Sequence, residues 1–320
     1  MLKALMLIVA GLSVLGAASA SAEVRVETVR FVSNGETIVG ALYLPEEASA
    51  DRPGPALVVS GAWMTIKEQM SSRYAREMAE RGFVALAFDF RNWGESGGER
   101  RLFEDPAAKV EDLKAAAGFL AGRREVAPGR IGALAVCVSS SYLAQAAIEA
   151  PTIRAVAMVA PWLHDEAIVT ETYGGVEGLA RLRASADRAN DAYSRTGEQT
   201  LVPVASTTDR TALLFQVPYY TEADRGMIAA WPNQADLGFW PSFLAFDAIA
   251  LAPRLIKPFL MVHSEAAAIP QGARRFYGSL TGSRREVWLE GVTQFDFYDQ
   301  DEPVNRAADE AASHFRDALR

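Results

Sequence analysis

From residue 24 onward, apolar and polar positions alternate through two long runs, VRVETVRFV and ETIVGALYL, joined by Ser33-Asn34-Gly35. A period of two turns one face of each run toward a core, and Asn-Gly is a turn signal, so the pair predicts a β-hairpin. PALVVSG, FVALAFDF, RIGALAV, IRAVAMVAP and PFLMVHS are short, nearly continuous apolar runs and read as buried strands, with RREVWLEG as the last. Between them, KEQMSSRYAREMAERG has helical spacing and a glycine stop. DPAAKVEDLKAAAGFLAGR, LAQAAIEA, GARRFYGSL and VNRAADEAASHFRDAL also predict helices. Strands that alternate with helices after an opening hairpin imply an α/β fold. Its sheet is mostly parallel, covered on both faces, with ligands at the carboxyl ends of the strands.

Residues 164–254 interrupt that alternation. The stretch reads as helical or irregular, and its second half is aromatic, with Phe215, Tyr219, Tyr220, Trp231, Phe239, Trp240, Phe243 and Phe246. An insertion at this place is expected to cap the strand ends. Most of its rings should form the cap's own core and a few should face a pocket. The organisation expected is therefore 23–163 core, 164–254 cap insertion and 255–320 core again, without internal repeats or low-complexity segments.

Residues 1–22 stand apart. Lys3 opens the chain, Ala4 to Ala18 is apolar, and Ala20-Ser21-Ala22 is a small-residue cleavage site. That order is expected of a signal peptide cut after Ala22, with the mature protein periplasmic or secreted. Loss of Lys3 moves the formal charge from −8 to −9. An acidic chain without basic runs argues against nucleic acid and anionic membranes as partners, leaving a small molecule, with oligomeric state open. No phosphate-loop spacing, H-E-x-x-H or Cys/His cluster is present, so neither a cofactor nor a metal is expected.

The chain's single cysteine, Cys137, follows the strand RIGALAV directly and precedes a helix. A residue at such a strand–helix turn is held in a strained conformation with its side chain exposed above the sheet. Ala135 and Ser139, two positions either side, are small, as close backbone approach requires. The serines at 139, 140 and 141 fall in the first helical turn, where they are expected to cap free N–H groups. A helix starting near Val138 would also set its positive end under the thiol, which lowers a thiol pKa.

Three motifs resemble the α/β-hydrolase superfamily, in its dienelactone-hydrolase-like branch. GAWMTIKEQMSSRYAREMAERGFVALAFDFRNWGES looks like the oxyanion loop, first helix and D-x-R-x-x-G-x-S turn. RIGALAVCVSSSY looks like the G-x-C-x-G-G elbow, and GVTQFDFYDQ like the last, His-bearing loop. The resemblance implies an α/β-hydrolase sheet with a helical cap between its sixth and seventh strands. It also implies Cys137 as nucleophile and an oxyanion hole from the backbone N–H groups of Val138 and Ala62, or Trp63. The chain departs from the pattern where the base should be, because Gln294 stands in place of the histidine. His164 and His263 follow strands but match no family position, and His314 is expected at the surface of the last helix. For the acid, SEAAAIP offers only Glu265, with Asp165 as a second candidate.

Two functions follow. One is an exported hydrolase acting on a small apolar ester, thioester or lactone through Cys137, with Gln294 orienting substrate or water. The other is a pseudo-hydrolase that binds an apolar small molecule without turning it over. Acyl transfer is a third outcome if the acyl-cysteine is stable.

Overall fold

The protein is described by a computed structural model covering residues 23–320. The expected signal peptide lies outside the described residues. Eight strands form the main sheet: β1 (Val24–Ser33), β2 (Glu36–Pro45), β3 (Gly54–Ser60), β4 (Val84–Phe88), β5 (Val126–Val136), β6 (Val156–Val159), β7 (Phe259–Ser264) and β8 (Arg284–Leu289). Their spatial order is β1-β2-β4-β3-β5-β6-β7-β8. β1 and β2 pair antiparallel, as do β2 and β4, and every other neighbour is parallel.

The hairpin turn has Asn34 at φ 46° and Gly35 at φ 87°. Positive φ at both central residues matches the twist of the flanking strands, which is why Asn-Gly serves there. β4 and β7 are buried along their whole length, as a parallel strand covered on both faces must be.

The main helices are α1 (Met70–Glu80), α2 (Pro106–Ala121), α3 (Ser139–Glu149), α4 (Glu166–Thr172), α5 (Gly175–Thr196), α6 (Pro270–Ser279) and α7 (Asp301–Ala318). α1 packs with α7, and α2 with α3, to cover the sheet. The Asp105 side chain caps α2 by accepting from the Ala108 N–H at 3.0 Å, with Pro106 in the first turn. At Gly132 in β5, a Cβ would lie 2.6 Å from the Phe315 ring of α7. The terminal helix thus lies directly on the sheet at that point.

The segment between β6 and β7 is the cap, and it is less helical than expected. Besides α4 and α5 it holds two small two-stranded ladders, Leu201–Pro203 with Gln234–Asp236 and Ala205–Ser206 with Leu214–Phe215. Two bidentate ion pairs tie it to the core. Arg100 holds the buried Asp236 at 2.8 Å through two nitrogens, and Arg225 holds Asp299 at 2.6 and 2.7 Å. Gln69 adds a bond to the Gly226 carbonyl at 2.7 Å, and the Trp231 indole donates to the Met64 carbonyl at 2.9 Å.

Two histidines belong to the packing. His263 stacks on Trp288 at 5.0 Å between centroids. His314, expected at the surface, is half-buried on α7 with its Nε2 unpartnered. Burial pushes both down to about 4 from 6.5. Between those values the unfolded chain binds protons that the folded one refuses, so stability falls as the pH drops from about 6.5 to about 4. Urea midpoints across this window check it: His314→Leu should flatten its share of the slope, and an unchanged slope would remove His314 from the account.

Candidate active site

β5 delivers its last residue to the centre of the sheet's carboxyl edge. Cys137 then turns at φ 61°, in the left-handed region that a non-glycine residue adopts only when its surroundings impose it. They do so here. The Cys137 N–H donates to the Val159 carbonyl of β6 at 3.1 Å. Its own carbonyl accepts from Ser140 at 3.1 Å and Trp162 at 3.0 Å. The elbow is therefore fastened to its own helix and to the neighbouring strand.

The three serines do not cap N–H groups. Their hydroxyls donate instead to the carbonyls of Val136, Ala135 and Trp162, at 3.1, 3.3 and 2.6 Å. The Ser140 and Ser141 N–H groups are already taken by the Cys137 and Val138 carbonyls at 3.1 and 3.0 Å. All three hydroxyls are thus engaged with backbone carbonyls.

The second wall is the loop after β3. Asp89, at the end of β4, accepts from the Lys67 N–H at 2.7 Å, the Lys67 ammonium at 2.9 Å and the Glu95 N–H at 2.9 Å. This bond set locks the oxyanion loop against the RNWGES turn. Gly94 is required there, because a Cβ would sit 2.2 Å from the Asp89 carboxylate and φ is +50°. The loop that results presents the Trp63 N–H, beside that of Val138, to the Cys137 sulfur. Ala62, the residue expected in that role, is corrected: its N–H is directed at the Met70 sulfur at 3.3 Å.

Gln294 does reach the site. Its Nε2 donates to the Ala160 carbonyl at 2.9 Å and to the Tyr298 hydroxyl at 3.0 Å, while its Oε1 accepts from the Ala268 N–H at 3.0 Å. The Ala160 carbonyl can only accept and the Ala268 N–H can only donate, and together they leave the amide a single orientation. Tyr298, buried and four residues on, lines the same cavity as Cys137 and Tyr220. Tyr298 was not singled out in the sequence. The i, i+4 spacing from Gln294 was the available signal.

The carboxylates do not join this group. Glu265 is exposed and paired with Arg274 at 2.6 Å. Asp165 caps α4 at the Ile168 N–H and pairs with Arg275. Among the described residues no histidine contacts the thiol either. His164 accepts from the Trp162 indole at 2.9 Å and has its other nitrogen on the Phe243 carbonyl at 3.0 Å. His263 lies under Trp288.

A cavity of about 240 Å³ opens over Cys137. Its walls are mainly Trp63, Trp162, Tyr173, Leu213, Leu214 and Phe243, with Gln294 and Tyr298 as polar groups beside the sulfur. Of the eight cap rings singled out in the sequence, Tyr220 and Phe243 line it, and Tyr173 from the first half of the cap joins them. Phe239 and Trp240 pack behind them against Trp63 at 5.4 and 5.8 Å.

Burial pushes the Cys137 thiol up, against the Tyr298 hydroxyl, the Val138 and Trp63 N–H groups and Gln294, which pull it down. This reverses the lowering expected from the helix alone. Iodoacetamide alkylation of the folded protein should therefore rise with pH along a curve shifted alkaline of the same thiol in the unfolded chain. A midpoint at or below the unfolded value would contradict the direction.

A family model described as X-Pro dipeptidyl-peptidase (S15 family) matches residues 34–195, half of the chain. The chain belongs to the S15 family. The match runs from the β1–β2 turn through the elbow to the end of α5, and stops short of Gln294. This S15 member is 29% identical over 299 residues to the uncharacterized protein YcjY of Escherichia coli (strain K12), covering 90% of this chain and 97% of that one. It is 32% identical over 147 residues to the acyltransferase drtE of Aspergillus calidoustus, covering 46% of each chain. It is 30% identical over 174 residues to the thiohydrolase aneE of Aspergillus aculeatus, covering 53% and 52%. The crystal structure of the hypothetical protein PA2218 from Pseudomonas aeruginosa superposes at a TM-score of 0.80, with 24% identity over 98% of this chain and 100% of that chain. Family and fold together make the S15 member an α/β hydrolase.

Proposed function

We propose that this α/β hydrolase is an exported acyl hydrolase that attacks a small, apolar ester, thioester or lactone with Cys137. One observation carries the reading: a cysteine at φ 61° whose sulfur faces two backbone N–H groups at the floor of an apolar cavity. The left-handed turn is costly for a side-chain-bearing residue, and it aims the sulfur at a spot where a carbonyl oxygen can be held. The Val138 and Trp63 N–H groups stabilise the developing oxyanion, and the aromatic walls receive the acyl chain. Thioesters lead the candidate substrates. Their carbonyl is activated, which offsets a weak base, and partial relatives carry the names thiohydrolase and acyltransferase. Export rests on residues 1–22, with Lys3, the apolar run and Ala20-Ser21-Ala22.

The rival reading, a binding pocket without turnover, draws on Gln294. A glutamine amide takes no proton near neutral pH, and no imidazole stands in for it among the described residues. Intact-mass spectrometry decides between the two. Mature protein is incubated with an acyl thioester and an activated aryl ester while free product is followed. An adduct on Cys137 that forms and clears with product supports the hydrolase. No adduct and no product supports the binding reading.

A further inference from the structure

We propose that Tyr298 is a catalytic residue: its hydroxyl carries the Cys137 proton to the leaving group, the task a histidine performs in related triads. The inference rests on Cys137 being the nucleophile.

The hydrogen bonds around Gln294 supply the argument. Its oxygen is taken by the Ala268 N–H, and its two amide hydrogens go to the Ala160 carbonyl and the Tyr298 oxygen. Gln294 can therefore only donate to Tyr298. The phenol keeps its own proton and one further lone pair, and it lines the same cavity as Cys137 and Tyr220. With its O–H turned toward the cavity, that remaining lone pair is the one able to take the thiol proton. Its backbone is fastened as well. The preceding carbonyl, Phe297, accepts from the buried Tyr74 hydroxyl at 2.8 Å, and Asp299 is held by Arg225. The ring packs edge-on to Tyr219 at 5.1 Å and Phe295 at 5.5 Å.

The step balances without a separate base. The Sγ–C bond forms as the carbon–leaving-group bond breaks. The thiol proton passes to the Tyr298 oxygen, and the phenol proton passes to the departing thiol or alcohol. The tyrosine ends neutral, as it began. Deacylation runs the same path in reverse, with a water proton entering through Tyr298 and the phenol proton returning to sulfur. Gln294 is a positioning residue, because its N–H holds the phenol oxygen while it carries no proton itself.

Either leaving group requires the thiol proton to be taken, but only a basic one also requires a proton to be delivered. Acylation of Cys137 is therefore timed by intact mass with two thioesters of one acyl group, one releasing an acidic aryl thiol and the other an alkyl thiol. Tyr298→Phe should slow both reactions, and the alkyl one by at least about 10-fold more than the aryl one. A merely structural tyrosine would slow both alike, so equal losses, or none, overturn the relay. If Tyr298→Phe fails to fold, Gln294→Met reads the same quantity by releasing the phenol. The aryl–alkyl gap should then widen by about 10-fold or more, and an unchanged gap overturns the proposal. A wild-type protein acylated by neither thioester overturns the nucleophile reading itself, and the relay with it. A wild-type that acylates with no gap in the variants overturns the relay alone.

Discussion

Cys137→Ala should abolish the acyl adduct and cut ester or thioester turnover by about 10²–10⁴-fold. In a full triad, removal of the nucleophile costs on the order of 10⁶. A site without a histidine base starts about 10²–10⁴ lower, so less remains to lose. The variant should fold. An alanine at φ 61° is no more strained than the cysteine, and the bonds to Val159, Ser140 and Trp162 are all made by the backbone. Turnover of a thioester by wild-type and variant at equal rates would remove Cys137 from the chemistry. Ligand affinity separates the readings further. Binding should survive in the variant, since the walls formed by Trp63, Leu213, Leu214 and Phe243 are untouched.

Gln294→His should raise the rate at which an acyl-cysteine clears by about 10–10²-fold. Position 294 is buried beside the sulfur, so an imidazole there would stand where a base can accept a proton from the thiol or from water. The gain should stay below that of a full triad. Glu265 faces Arg274 and Asp165 faces Arg275, so neither of the two expected carboxylates is placed to orient the ring. An imidazole also cannot make all three bonds that Gln294 makes, and leaving the Ala160 carbonyl or the Ala268 N–H unpaired should cost about 1–3 kcal/mol of stability. Paired adduct lifetimes and urea midpoints check both effects. A shorter-lived adduct in a less stable protein is expected, and an unchanged lifetime would show that deacylation is not limited by the missing base.

The strands, the main helices and the elbow could be read from the chain because each is encoded locally. Period-two and apolar runs mark strands that bury one or both faces. Asn34-Gly35 marks a turn of positive φ. A cysteine between a buried strand and a helix marks a forced corner. The position of Gln294 near the sulfur was implied by the resemblance of GVTQFDFYDQ to the family's His-bearing last loop.

What the tertiary structure decided is everything set by which way a group points. Ala62 and Trp63 are adjacent in sequence, yet only the Trp63 N–H faces the sulfur, because Met70 on α1 takes the other. Glu265 follows the right strand but turns outward to Arg274, where solvent lowers the cost of its charge. Eight cap rings look alike in sequence, yet only Tyr220 and Phe243 of them line the cavity, while Phe239 and Trp240 pack on Trp63 and Phe246 on Tyr142. The direction of the thiol's shift also depends on how deeply the cap buries it, a property of distant residues brought together. Tyr298 is the plainest case. In sequence it is one aromatic residue among several. It gains a role only when a glutamine four residues earlier donates to its oxygen and a cysteine 161 positions earlier lines the same cavity.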